Sequence, residues 1–180
     1  MTTVAAPTVP LKGDARMPRA LAIRGALLLL FGLVEGTLLL FAFRIPNLTI
    51  HELVVVLAVY LLADGGVAFV EAAGALTRRA AWLAPAGNAL VSLAAGLAIL
   101  VMGGPQGLRI FAVWAIVTGF LEVVQDSRTA KQRLAAFVAV VFGLLVLAGP
   151  IQDRAMLMLA GAVFAIIAGG LRLGGALHAR

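Results

Sequence analysis

The chain has 180 residues, 63% of them hydrophobic and 12% charged, with a mean hydropathy of +1.09. That leaves too little polar surface to cover a soluble globule of this length, so composition excludes a water-soluble domain and points to an integral membrane protein. The lack of cysteine excludes disulfides, thiolate metal sites and cysteine nucleophiles. The net charge of +6 comes without a basic and aromatic patch outside the apolar runs, so it reads as membrane orientation and not as nucleic-acid binding.

Residues 1–20 hold Pro, Thr, Ala and a few charges, with no long apolar core ahead of a cleavage-like site. They are expected to form a flexible cytoplasmic tail and not a signal peptide. A helix needs about 17–25 apolar residues to cross about 30 Å of hydrocarbon. Six runs meet or approach that length, at about 22–43, 53–74, 82–102, 108–125, 134–149 and 155–176, the fifth being the shortest. An all-α fold with six transmembrane helices follows.

The first run carries Glu35 inside LLLLFGLVEGTLLL, where a carboxylate costs on the order of 2.5–3.5 kcal/mol on insertion scales. Gly25, Gly32 and Gly36 share its helix face, so Glu35 is expected to point into the bundle, and Gly32-LVE-Gly36 lets helix backbones approach closely. His51-Glu52 precedes the second run and reads as a solvated interfacial pair. Asp64 in that run is expected at nearly the depth of Glu35. The two would then share a proton, because both cannot easily be ionised in low dielectric. The third run offers Asn88, Ser92 and Gly96 on one small, polar face, and the fourth Thr118, Glu122 and Gln125 on another. These residues are candidates for a polar pathway or for helix–helix contacts. In the sixth run Arg172 is expected at the depth of Glu122, as an ion-pair partner or as a residue snorkelling to the interface.

Three return helices repeat one spacing, with Tyr60, Trp114 and Phe164 each five residues before Gly65, Gly119 and Gly169. The outgoing runs end alike, in GTLLLFAFRIP, GLAILVMGGP and GLLVLAGP. Repeats at this period signal one supersecondary unit copied, here tandem helical hairpins at about 21–79, 80–131 and 132–177. The repeat makes Asp64, Thr118 and Ala168 equivalent, and likewise Ala68, Glu122 and Arg172.

Six spans in three hairpins, mid-helix glycines, prolines at the outer turns and basic residues at the inner turns resemble the HdeD acid-resistance family, a short-repeat domain of unknown function. The resemblance covers about residues 20–177. It implies a bacterial inner-membrane protein linked to acid stress, with no catalytic residues to carry over. Orientation follows from the positive-inside rule. With a cytoplasmic N-terminus, eleven Lys and Arg lie on that side (Lys12, Arg16, Arg19, Arg24, Arg78, Arg79, Arg128, Lys131, Arg133, Arg172, Arg180) against three outside (Arg44, Arg109, Arg154). Both termini are therefore expected in the cytoplasm.

No phosphate-cradling glycine loop, HExxH or GxSxG occurs, and no His and carboxylate cluster at metal spacing. Gly169-Gly170 and Gly174-Gly175 follow no strand and make no nucleotide fingerprint. The expectation is a non-enzymatic protein without cofactor, metal or nucleic-acid partner, embedded in the lipid bilayer, with a homo-oligomer or a membrane-protein partner left open. A small proton-linked transporter or channel using the buried carboxylates is the alternative.

Overall fold

The computed structural model describes residues 17–42, 50–77, 82–124, 130–149 and 154–178. They form six helices, α1 (Met17–Ala42), α2 (Ile50–Thr77), α3 (Leu83–Met102), α4 (Gly104–Val124), α5 (Ala130–Ala148) and α6 (Arg154–His178). There is no strand among the described residues. All six are long and apolar enough to cross a membrane. Met17–Ala20, expected in the tail, already belong to α1. Residues 1–16 lie outside the described residues.

Glycine sets the tightest turn. Gly103 and Gly104 have φ of 59° and 51°, a region that costs other residues dearly, so α3 stops and α4 starts with a single residue between them. The Gly103 N–H donates to Ile99 O at 2.8 Å, and the Gly107 N–H donates to Gly103 O at 3.2 Å. Gly149, with φ of 75°, follows the end of α5.

Polarity is distributed inside out. Large apolar side chains such as Leu40, Phe69, Val70, Leu83, Leu90, Val101 and Phe137 face outward, whereas Arg24, Glu35, Asp64, Asn88, Ser92, Thr118 and Arg172 are buried. In water this surface would be an aggregation hazard. In hydrocarbon it costs nothing, and polar groups instead seek one another within the bundle. The protein is an integral membrane protein.

The hairpins pack more closely on one another than within themselves: α2 lies mainly on α3, α4 on α5 and α6 on α1. Glycines make each of these seams in one register. A Cβ on Gly65 would stand 2.7 Å from Leu93 Cγ, one on Gly119 2.8 Å from Ala136 O, and one on Gly169 2.6 Å from Leu29 N. From the other side, a Cβ on Gly96 would stand 3.2 Å from Ala58 O, one on Gly143 2.5 Å from Ala112 O and one on Gly32 2.9 Å from Ala162 O. Those three carbonyls belong to residues seven before Gly65, Gly119 and Gly169, so the three seams share one register and the last hairpin closes back on the first. A Cβ on Gly36 would stand 3.8 Å from Ala162 Cβ, so this GxxxG serves the α1–α6 seam.

The middle of the axis is aromatic. Phe31 stacks on Tyr60 at 4.8 Å, Phe111 on Trp114 at 5.1 Å and Phe142 on Phe164 at 4.4 Å between centroids. Edge contacts from Phe111 to Phe31, Phe142 and Phe164 join the three pairs. Phe31 and Phe142 immediately precede Gly32 and Gly143. Where α3 has Ala95 at that place, α4 supplies Phe111 instead.

Candidate functional site

On the side of the aromatic layer nearer the ends of the described chain, buried polar side chains gather around the axis. Gly25 and Gly32 seat α1 directly on the α6 backbone, and a Cβ on Gly25 would stand 2.8 Å from Leu173 N and 3.1 Å from Arg172 Cβ. Arg24, one residue before Gly25, therefore sits at the depth of Arg172. Its guanidinium makes a two-pronged contact with Asp64, donating from Nε to Oδ1 at 2.7 Å and from Nη2 to Oδ2 at 3.0 Å. Both residues are buried, the setting in which a bidentate charged pair fixes geometry most strongly.

The network continues into the second hairpin. Ser92 Oγ donates to Asp64 Oδ2 at 2.8 Å and accepts from Trp114 Nε1 at 2.9 Å. Four helices are thus joined by the chain Arg24, Asp64, Ser92, Trp114. Arg172 on α6 donates from Nη2 to Glu122 Oε1 on α4, the ion pair the repeat alignment allows. The charge of Arg172 reaches Asp64, and that of Glu122 reaches Arg24, so the two pairs form one electrostatic unit. Glu71 on α2 also lies within electrostatic reach of Arg24 and Asp64.

Not all of it is satisfied. Arg172 Nε and Nη1, both side-chain amide atoms of Asn88 and Tyr60 Oη are buried without a hydrogen-bond partner. Thr118, a candidate for a polar pathway or a helix–helix contact, turns its hydroxyl to the carbonyl of Trp114 at 2.8 Å, as helix-bound threonines do. Gln125 lies outside the described residues, and of the His51 and Glu52 side chains nothing is described.

The expected sharing of a proton between Glu35 and Asp64 is not the arrangement found. Asp64 gives both oxygens to Arg24 and Ser92, while Glu35 lies against Gly161 of α6, its Oε2 buried and unpartnered. The reason is depth. By the glycine register Leu28 is the α1 counterpart of Ser92, and Glu35 stands seven residues beyond it, about 10 Å along the axis on the far side of the aromatic layer. Arg24 and Trp114 are the members that sequence reasoning missed. A signal for Arg24 existed, since it precedes Gly32 by eight residues just as Asn88 precedes Gly96.

No family model, curated protein or solved structure matches the chain.

Proposed function

We propose that the chain is a non-enzymatic bacterial inner-membrane protein of the HdeD type, with both termini cytoplasmic, which contributes to acid or envelope stress tolerance through its axial charge cluster. One observation carries this reading: two ion pairs and a serine–tryptophan bridge are buried on the axis of a bundle whose outer face is apolar. Ionisable residues inside a membrane are expensive and generally mark an ion or proton pathway or a binding site. If the cluster only held the helices in register, an uncharged replacement would serve as well. The test is acid survival of cells lacking the protein and complemented with wild type or with the paired replacement Arg24→Met, Asp64→Leu. Survival at wild-type level with a folded double variant would reduce the cluster to a scaffold.

A second reading, a small proton-linked transporter or channel, is favoured by Glu35. This isolated carboxyl lies across the aromatic layer from the cluster, with one oxygen unpartnered, so polar stations stand on both sides of a plug of stacked rings. Proton flux into dye-loaded liposomes tests it. Flux should be present in the wild type and abolished in Glu35→Gln, and equal flux in both would discard the role of Glu35.

A further inference from the structure

The unpartnered atoms of the cluster share a chemical bias. A guanidinium has five N–H donors and no acceptor. Arg172 uses Nη2 on Glu122 and leaves Nε and Nη1 buried without partners. Asn88 adds an amide N–H2 and Tyr60 a hydroxyl, both buried and unpartnered. Against these donors, among the buried atoms of the described residues on this side of the aromatic layer, Asn88 Oδ1 is the one obligate acceptor without a partner, since Asp64 is taken by Arg24 and Ser92. An unmet donor is costly in a dry interior, and more so when it is charged.

The three residues belong to one place. Asn88 precedes Gly96 as Arg24 precedes Gly32, and Arg172 follows Gly169 as Glu122 follows Gly119, so the register sets all four at one depth. Tyr60 hangs from the aromatic layer above them and lies within electrostatic reach of Arg172, Arg24, Asp64 and Glu122. The remaining positions of the layer are Ala68 and Ala135, fully buried methyl groups with no polar atom to offer.

We infer that this layer binds a small monovalent anion, a halide or a short carboxylate, with Arg172 supplying the charge and Asn88 and Tyr60 supplying hydrogen bonds. A cation brings no acceptor and would leave the N–H groups unmet. The buried methyl groups of Ala68 and Ala135 and the stacked rings beside the layer restrict the ligand to a few heavy atoms. This site deepens the reading of the axial cluster as the working part of the protein, and rests on it.

Trp114 gives a readout, because its indole N–H bonds to Ser92 within the same network. The chain has two tryptophans, so Trp82→Phe leaves Trp114 as the sole emitter. Full-length protein in detergent is titrated with chloride, with acetate and with bulky gluconate at constant ionic strength. The expected result is a saturable change in Trp114 emission with chloride, acetate or both, and none with gluconate. In Asn88→Leu the midpoint should weaken about tenfold, the loss of one hydrogen bond to a charged ligand, and severalfold in Tyr60→Phe. Neither variant touches the Arg172–Glu122 pair, and a circular-dichroism melt confirms that each is folded. A response to chloride alone or to acetate alone supports the site and fixes its anion. An equal response to gluconate, or midpoints unmoved in both variants, overturns it and assigns the donors to buried water. Saturable binding without any liposome flux leaves the anion site standing and removes the conduit reading, whereas flux without saturable binding does the reverse.

Discussion

At the residue scale, the Arg24–Asp64 pair shows why a charge can live in the middle of an apolar helix. Its worth lies less in the attraction than in the penalty for breaking it, because a buried charge left alone is costly while an apolar replacement of both partners is often tolerated. Asp64→Leu or Arg24→Met alone should destabilise by about 3–5 kcal/mol, and the double variant should recover most of that loss. Denaturant titration of the four proteins in one detergent measures it, and additive losses would mean that the two side chains do not act as a pair. Glu35 predicts the opposite. No hydrogen-bonded partner of it depends on its carboxylate, so Glu35→Leu should leave the melting midpoint unchanged or raise it, and a clear fall would reveal a partner for Oε2. From sequence alone, with Asp64 taken as its partner, the same substitution would be expected to destabilise.

At the element scale, adjoining glycines on one helix divide into seam and surface. A Cβ at position 169 meets the α1 backbone, Leu29 N at 2.6 Å and Gly25 O at 2.8 Å, whereas one at position 170 meets nothing within 4 Å. Gly169→Ala must push two backbones apart and should lower the melting temperature. Gly170→Ala should be neutral or raise stability by up to about 1 kcal/mol, the helix preference of alanine over glycine. Gly65 and Gly66 form the same contrast on α2, softened because the nearest neighbours of position 65 are side-chain carbons of Leu93. Equal melts for both members of a couple would refute the seam. The return-helix glycines were legible in the sequence because close backbone approach leaves a residue no side chain to vary, so the spacing from Tyr60, Trp114 and Phe164 survives in all three copies. The neighbour that each glycine meets was not legible. A hairpin invites the assumption that its two helices are closest partners, yet here the tightest contacts cross to the next hairpin.

At the scale of the whole molecule, the number of helices and their approximate bounds followed from one constraint, the contiguous apolar length that hydrocarbon demands. Five of the six helices exceed their apolar runs because polar residues can continue a helix past the hydrocarbon, as Lys131, Gln132 and Arg133 do in the first turns of α5. The axial cluster was half legible. Asp64, Ser92, Asn88, Glu122 and Arg172 announce themselves as polar letters among apolar ones, but Arg24 passes for an interfacial charge until its glycine register is seen. Antiparallel contact of α1 with α6, Gly25 beside Leu173 and Gly32 beside Ala162, puts the start of one and the end of the other at the same end of the bundle. Reporter fusions after residues 79, 130 and 180 should therefore all report one compartment, the cytoplasm on the charge distribution, and fusions after 47, 106 and 152 the opposite one. A split within either set would break the six-span topology.

The seam between α1 and α6 also bears on synthesis. Chains emerge from the amino end at roughly 5–20 residues per second, so α1 waits for its principal partner until the rest of the bundle has been made. During that wait Arg24 is neutralised within its own hairpin by Asp64, whereas the Arg172–Glu122 pair forms only when the final helix arrives. The first charge pair is thus suited to entry into the bilayer, and the second to a completion signal. A chain cut after residue 152 should keep the Arg24–Asp64 bridge yet expose the glycine face of α1 and lose the Arg172–Glu122 pair. Pulse-chase labelling should find it degraded severalfold faster than the full chain, and co-expression of α6 as a separate peptide should slow that decay.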